Sequence, residues 1–241
     1  MNTSIIIWNV NGLGDPWKRG RVKRLIGRQN PKIVGLIETK WDHCSDSLVC
    51  SVSGSRDYGW VAKGAVRSSG GIVVFWNKSF FRMVSTREGY FFLEIEFRDV
   101  VSLKAWHLIV VYGPQDRSDK LVFISELNEL CSLLTSPVCL AGDFNLVRSH
   151  DDYLGSRRSA KLMEEFNSFI DVNALLELPL GGSSFTWHHR PGSNSFSRID
   201  RVLVLPEFDS FYQDVALSAL ERVESDHNPL LIRWGGEQKD P

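Results

Sequence analysis

The sequence predicts an α/β (α+β) protein in which two mixed β-sheets pack face to face and helices cover the outside. Three observations lead to this fold. Short apolar segments bounded by turn residues recur along the whole chain, as strands do. Three segments with helical spacing of apolar residues are interspersed among them. A hydrophobic content of 43% in 241 residues is enough to fill a sizeable core. No internal repeat, low-complexity stretch or linker divides the chain. One domain over residues 1–235 is therefore expected, with 236–241 as a polar, frayed tail.

Taken in order, residues 4–10 read as a buried strand followed by the turn-rich Asn11-Gly12-Leu13-Gly14. Asp15 as N-cap and Pro16 at the first helical position open a helix to about Gln29, with Val22, Leu25 and Ile26 on its apolar face. Residues 33–37 form a second strand that ends at Glu38, and the polar stretch Cys44 to Asp57 reads as loop. Strands follow near 58–63, 71–76, 81–86, 90–97 and 103–112, with hairpin turn signals at Gly70-Gly71 and Glu88-Gly89. A helix over 119–134 carries Leu121, Ile124, Leu127 and Leu134 at helical spacing. Pro137 opens a strand to Gly142, and a helix over 160–172 presents Leu162, Phe166, Phe169 and Ile170. Strands at 184–187, 198–205, 214–219 and 229–233 complete the set.

A formal net charge of -1 gives the whole molecule no field that would draw it onto nucleic acid. An anionic substrate then needs a local basic patch or a metal. The four cysteines, Cys44, Cys50, Cys131 and Cys139, lack paired zinc spacing, and reduced thiols in an intracellular protein are expected. The first 25 residues lack a secretory apolar region. No apolar stretch approaches the ~20 residues needed to span a bilayer.

Five polar groups stand at the edges of apolar segments: Asn9/Asn11, Glu38, Asp143/Asn145, Arg198/Asp200 and Ser225-Asp226-His227. In extended chain, residues two apart share a face, so each spaced pair is expected to project together while Phe144 points away. Gly142 provides for close backbone approach or an unusual dihedral. An amide can donate to a phosphate oxygen or fix a carboxylate. A carboxylate at a strand end, such as Glu38, can hold a hard cation. The Tyr112 hydroxyl at the end of its strand can donate to a phosphate. Asp200 can orient a histidine, which leaves Arg198 for a salt bridge or a phosphate. His227 beside one carboxylate suits acid/base work. Read singly, each has a plainer role: turn amides, a solvated Glu38 paired with Lys40, an interfacial tyrosine, a surface ion pair. Together they imply one site assembled by folding.

The ordered set Trp8-Asn9-Val10-Asn11-Gly12, Ile37-Glu38-Thr39, Tyr112-Gly113-Pro114, Gly142-Asp143-Phe144-Asn145, Ser184-Phe185-Thr186-Trp187, Arg198-Ile199-Asp200 and Ser225-Asp226-His227 resembles the endonuclease/exonuclease/phosphatase superfamily. That superfamily includes deoxyribonuclease I and the abasic-site endonucleases. The resemblance spans almost the whole chain and implies a deoxyribonuclease I-like four-layer sandwich. Within the superfamily, Trp8 to Gly14, Ser69-Gly70-Gly71-Ile72-Val73 and Ser184 to Trp187 look most like the N-terminal endonuclease domain of LINE-type non-LTR retrotransposons, particularly those of plants. Such a domain nicks one strand of double-stranded DNA and leaves a 3′-hydroxyl that primes reverse transcription. A reverse transcriptase region is then expected downstream, and the nucleus as the site of action.

The resemblance also assigns roles. Glu38 binds the divalent metal, Mg²⁺ or in its place Mn²⁺, with Asp226 and Asn11 beside it. Asn9 and Asn145 orient the phosphate and the attacking water. Asp143 activates that water or helps protonate the leaving oxygen. His227, held by Asp200, contacts the scissile phosphate, and Tyr112 donates to a phosphate oxygen. Thr186 and Ser225 are secondary phosphate positions or support positions. Many abasic-site enzymes carry Asp where this chain has Asn11, which shifts metal binding toward Glu38 and Asp226. For DNA contact the basic candidates are Lys18, Arg19, Lys23, Arg157, Arg158 and Arg190. The first three lie on a helix whose cations spread all round it and read first as a solvated face. The stretch His188–Ser197, with His188 and Arg190, is expected to sense DNA shape in a groove. The rival readings are an abasic-site repair enzyme, an inositol-phosphate phosphatase, an RNA deadenylase, and an inactive DNA-binding scaffold. The Arg198-Ile199-Asp200 context lacks the Pro-Ser-Trp-Cys-Asp-Arg-like signature of inositol phosphatases.

Overall fold

A computed structural model describes residues 3–66, 69–155, 158–189, 194–212 and 214–235. In chain order the elements are β1 (Thr3–Asn9), α1 (Pro16–Gln29), β2 (Ile33–Ile37), α2 (Asp46–Ser53), β3 (Tyr58–Val66), β4 (Ser69–Asn77), β5 (Phe81–Glu88), β6 (Phe92–Asp99), β7 (Ala105–Tyr112), α3 (Lys120–Leu133) and β8 (Val138–Asp143). There follow β9 (Tyr153–Leu154), α4 (Ala160–Val172), β10 (Leu176–Glu177), β11 (Leu180–Gly181), β12 (Trp187–His188), β13 (Phe196–Ser197), β14 (Asp200–Val204), α5 (Pro206–Phe211), β15 (Ala216–Ala219) and β16 (Leu230–Trp234).

The strands form a seven-stranded sheet in the order β11-β15-β16-β1-β2-β4-β3 and a six-stranded sheet in the order β10-β14-β8-β7-β6-β5. Both are mixed: β1 runs parallel to β2, and β7 parallel to β8, while their other neighbours are antiparallel. A small third sheet has the order β12-β13-β9. Strand alternation explains the layering. Ile5 and Ile7 of β1 join Val110, Ala141 and Val202 in the core between the two large sheets. Ile6 and Trp8 turn outward onto Val22 and Ile26 of α1 and Val49 of α2. On the opposite side, Val111, Leu140 and Phe144 pack on Leu127 of α3 and Phe166 of α4. The expected four-layer sandwich is thus present.

Local signals act as read in several places. Asp15 accepts from Trp17 N, and Pro16 begins α1. Gly142 has φ +147°, and a Cβ there would stand 2.2 Å from Val111 O, so only glycine lets β8 lie this close to β7. Other expectations need correction. The stretch read as loop over 44–57 contains α2. Its Ser45 caps Leu48 N, Gly54 closes it at φ +80°, and Val49 and Val52 are buried. The strand expected at 184–187 is reduced to Trp187–His188, and α5 and the short strands β9 to β11 were not anticipated. Gly70 and Gly71 lie inside β4 rather than at the hairpin turn, and residues 67–68, 156–157, 190–193 and 236–241 fall outside the described part. The expected sites Arg157 and Arg190 and the polar tail therefore go unplaced. The four cysteines carry free thiols. No described helix is long and apolar enough to cross a membrane.

Candidate active site

The central strands of both large sheets end at the same edge of the sandwich. Asp143 closes β8, and its register partners are Tyr112 at the end of β7 and Asp200 at the start of β14. Asn9 closes β1 and Glu38 follows β2, beside it in the other sheet. Two hydrogen bonds join these strand ends: Asn9 Nδ2 donates to Asp143 Oδ2 at 2.9 Å and to Glu38 Oε2 at 3.2 Å. One amide therefore ties the two sheets together at the site.

The paired residues meet by a route different from the one expected. Asn11 and Asn145 are not extended; their φ values are +46° and +51°. Each sits in a tight turn in which its own backbone N–H donates to the side chain two residues back, Asn11 N to Asn9 Oδ1 at 3.0 Å and Asn145 N to Asp143 Oδ1 at 2.9 Å. Asparagine tolerates this conformation better than most residues. Glu38 and Lys40 adopt it too, at φ +57° and +58°. A left-handed glutamate costs energy and persists only where its surroundings hold it. Here Gly12 N donates to Glu38 O at 2.7 Å and Leu13 N to Thr39 O at 2.9 Å, extending the β1–β2 ladder past the strand ends.

Asp143, Asp200 and His227 form the interior of the site, at 1%, 3% and 5% exposure. His227 Nδ1 lies 2.8 Å from Asp200 Oδ2, and Nε2 lies 3.8 Å from Asp143 Oδ2. The segment carrying His227 is pinned at three points. Trp8 Nε1 donates to His227 O at 3.1 Å, Ser225 Oγ donates to Asn9 O at 2.7 Å, and His227 N donates to Ser225 Oγ at 3.1 Å. Thr186 Oγ1 accepts from the backbone N–H groups of Ile199 and Asp200, which fixes the start of β14. Ser225 and Thr186 thus support the site from behind.

Burial raises the Asp143 carboxyl to about 7, with His227 pulling it down and Asp200 pushing it up. Burial alone would lower His227, but Asp200 and then Asp143 overcome it and raise the imidazole to about 9. An imidazolium with Nδ1–H on Asp200 leaves Nε2–H on the side of Asp143, 3.8 Å from its Oδ2. The Tyr112 phenol is pushed upward by burial and then by the Glu38 and Asp143 charges. Asn145 Nδ2 donates to Gly113 O at 2.8 Å, and Asn145 O accepts from Lys120 Nζ at 2.5 Å.

Glu38, Asn11 and Asp226 form the rim. Asn11 Nδ2 donates to Asp226 Oδ1 at 3.1 Å, and Trp187 Nε1 donates to Asp226 Oδ2 at 2.9 Å. Burial pushes the Asp226 carboxyl up, but His227 and these two donors hold it below its ordinary value. Lys40 Nζ stands 2.8 Å from Asn11 Oδ1 and 3.4 Å from Glu38 Oε1. The rim oxygens thus already cradle one positive charge, and all are hard donors, the kind Mg²⁺ selects. On this donor chemistry a divalent cation fits. Asp143, Asp200 and His227 also lie close enough to hold an ion, with ligand atoms within 4.8 Å of one another. That trio contains none of the three expected metal residues, and its hydrogen bonds suit proton handling better.

Arg198 points away from the site. Its guanidinium lies 2.6 Å from Glu177 Oε1, in a cluster with Arg148, Arg201 and Asp152, so of its two readings the salt bridge holds. His188 borders the rim: its N–H donates to Asp226 O at 3.0 Å, and its ring stands edge-on to Phe196. On α1, Lys18 donates to Asn11 O and Arg19 to Leu13 O and Gly14 O, so both hold the loop after β1. Lys120 was not singled out from the sequence, and Trp187 was quoted within a motif but given no role. Lys120 looked like one more cation at a helix start, and nothing local shows that it reaches Asn145.

The profile of the Endonuclease/Exonuclease/phosphatase family matches residues 6–227. Among solved structures, the AP endonuclease LMAP of Leishmania major shares the fold at a TM-score of 0.76 and 15% identity, covering 98% of this chain and 88% of that one. The Xenopus laevis APE2 catalytic domain gives 0.70 and 19%, covering 98% and 94%. The endonuclease domain of TRAS1, a telomere-specific non-LTR retrotransposon, gives 0.73 and 12%, covering 97% and 98%. The chain belongs to the endonuclease/exonuclease/phosphatase family.

Proposed function

We propose that this chain is a divalent-metal-dependent DNA endonuclease that nicks one strand of double-stranded DNA. Water attacks phosphorus, the P–O3′ bond breaks, and the products are a 5′-phosphate and a 3′-hydroxyl. The observation that carries this reading is the meeting of Asn9, Glu38, Tyr112, Asp143, Asn145, Asp200 and His227 at one sheet edge.

Asp143 takes the proton of the attacking water. A carboxyl near pKa 7 can take a proton at neutral pH and give it to the departing 3′ oxygen. Asn145 N and Asn9 Nδ2 hold that carboxylate in place. His227, kept protonated by Asp200, donates Nε2–H to a non-bridging oxygen as negative charge gathers there. The Tyr112 hydroxyl, at the strand end beside Asp143, donates to a phosphate oxygen. Glu38, with Asn11 and Asp226, would hold Mg²⁺ or Mn²⁺, which supplies Lewis-acid stabilisation of the phosphoryl charge.

The finer role is priming of reverse transcription in a LINE-type retrotransposon, with a polymerase region elsewhere in the full protein and action in the nucleus. Its support is the likeness of Trp8–Gly14, Ser69–Val73 and Ser184–Trp187 to such domains, together with the shared fold of the TRAS1 endonuclease domain. The test sets supercoiled plasmid, an abasic duplex, oligo(A) and an inositol phosphate side by side, followed by end-group analysis. Mg²⁺-dependent plasmid nicks that a polymerase extends directly are expected. Cleavage confined to the abasic duplex would make the chain a repair enzyme instead.

A further inference from the structure

Of the basic groups expected to meet DNA, Lys18 and Arg19 hold the loop after β1, and Arg157 and Arg190 lie outside the described residues. Local positive charge is nonetheless present next to the site. A cleft of about 230 Å³ opens between the N-terminal ends of α3 and α4 and is lined by Gln115, Arg117, Lys120, Asn145, Arg158 and Ser159 together with four apolar side chains. Three of its lining residues are cations and none is acidic. In a chain of net charge -1, that is a marked local excess.

The cations are held in place. Arg117 Nη2 donates to Ser159 Oγ at 2.9 Å, Arg158 Nη2 donates to Ser197 Oγ at 2.8 Å, and Lys120 Nζ donates to Asn145 O at 2.5 Å. Each keeps further N–H groups, and Arg158 Nε is buried with no acceptor. An ammonium with one recorded acceptor has two protons left. Three fixed donors facing one opening match a phosphate group. Asn145 is the link to chemistry: its carbonyl holds Lys120, and its amide stands 3.4 Å from Asp143 Oδ2.

We propose that this cleft is a binding subsite for a second backbone phosphate of the nucleic-acid strand, next to the phosphate that is cut. The proposal rests on the endonuclease reading and adds to it where the strand is gripped. Arg117, Lys120 and Arg158 position the strand without touching the reacting atoms. Because phosphate contacts carry no base information, the subsite contributes affinity and strand register rather than sequence preference.

The experiment is a fluorescence anisotropy titration of a labelled DNA duplex with the intact chain, in EDTA, over a series of NaCl concentrations. The variants are Arg117→Gln, Arg158→Gln and Gln115→Glu, with Arg24→Gln/Arg28→Gln on α1 as the control. Gln115→Glu places a negative charge at the cleft without deleting a cation, so it remains informative if an arginine variant folds poorly. Each cleft variant is expected to weaken binding several-fold. Each arginine variant is also expected to lower the slope of log affinity against log salt by about 1, with the control unchanged. Wild-type affinity and slope in all three cleft variants, equal losses in the control, or a wild-type chain that does not bind duplex would overturn the subsite. Plasmid nicking by the wild type is scored separately. Binding without Mg²⁺-dependent nicking sinks the endonuclease reading and leaves the cleft standing, whereas nicking with unaffected cleft variants sinks the cleft alone.

Discussion

The interior and the rim of the site are built in opposite ways. In the interior, Asp143, Asp200 and His227 are almost sealed from solvent and fixed by register, by Thr186 and by Asn9. At the rim, Asn11 is exposed and Asp226 half-buried, while the Lys40 side chain is 38% exposed against 13% for its partner Glu38. The interior is preorganised for moving protons, where a low dielectric strengthens each interaction. The rim is open, which suits the proposed entry of a cation and a strand from water. The Asn9 amide bridges the two, and His227 couples electrostatically to Asp226.

If the interior does the proton chemistry, its loss has the largest effect. Asp143→Ala and His227→Ala should each reduce the nicking rate by about 10²–10⁴-fold at saturating Mg²⁺, as measured by the loss of supercoiled plasmid. A loss under threefold in either would move the chemistry elsewhere.

The next effect concerns the charge inside the interior. By NMR titration of the metal-free protein, the His227 imidazole should titrate near 9. In Asp200→Asn the carboxylate that raises it most is gone while burial and Asp143 remain, so it should fall from about 9, by at least about tenfold in proton affinity. The sign for stability follows from linkage. A folded value above the unfolded 6.5 means that this stabilisation is complete below about 6.5 and is lost as pH rises through about 9. Asp200→Asn should therefore flatten the fall in Tm over that interval. An unshifted imidazole in Asp200→Asn would show that the pair is not coupled as drawn.

The rim should respond in cation binding. Glu38→Gln should weaken Mn²⁺ binding, read by electron paramagnetic resonance, by at least about tenfold, the scale on which even indirect partners of a metal ligand matter. Lys40→Met carries the smallest expected effect and the opposite sign. Removing a competing, largely solvated ammonium should tighten Mn²⁺ binding by about two- to fivefold, in line with the modest worth of an exposed ion pair. Weaker binding in Lys40→Met would mean that the lysine organises the rim rather than competing for it.

Much of this site is legible in the chain because its residues sit at strand ends, where a polar side chain interrupts an apolar run. Asn9, Glu38, Tyr112, Asp143 and Asp200 are all of this kind. The geometry between them is less legible. Asn11 and Asn145 were expected to share a face with their partners through extended chain, yet they do so through left-handed turns that no spacing rule distinguishes. Arg198 shares a strand edge with Asp200, but Glu177, distant in sequence, claims its side chain. Helix α2 was hidden because only Val49 and Val52 mark its buried face within a polar stretch. The two-residue strands β9 and β13 owe their existence to pairing across the fold, and local composition carries no trace of that.

The most direct measurement is the rate at which purified chain relaxes supercoiled plasmid, taken for the wild type in Mg²⁺, the wild type in EDTA, and Asp143→Asn in Mg²⁺. Steady nicking in the first and near-abolition in the other two is the predicted result. Equal rates for the wild type and Asp143→Asn in Mg²⁺ would contradict the claim that the strand ends of the two sheets form one hydrolytic centre.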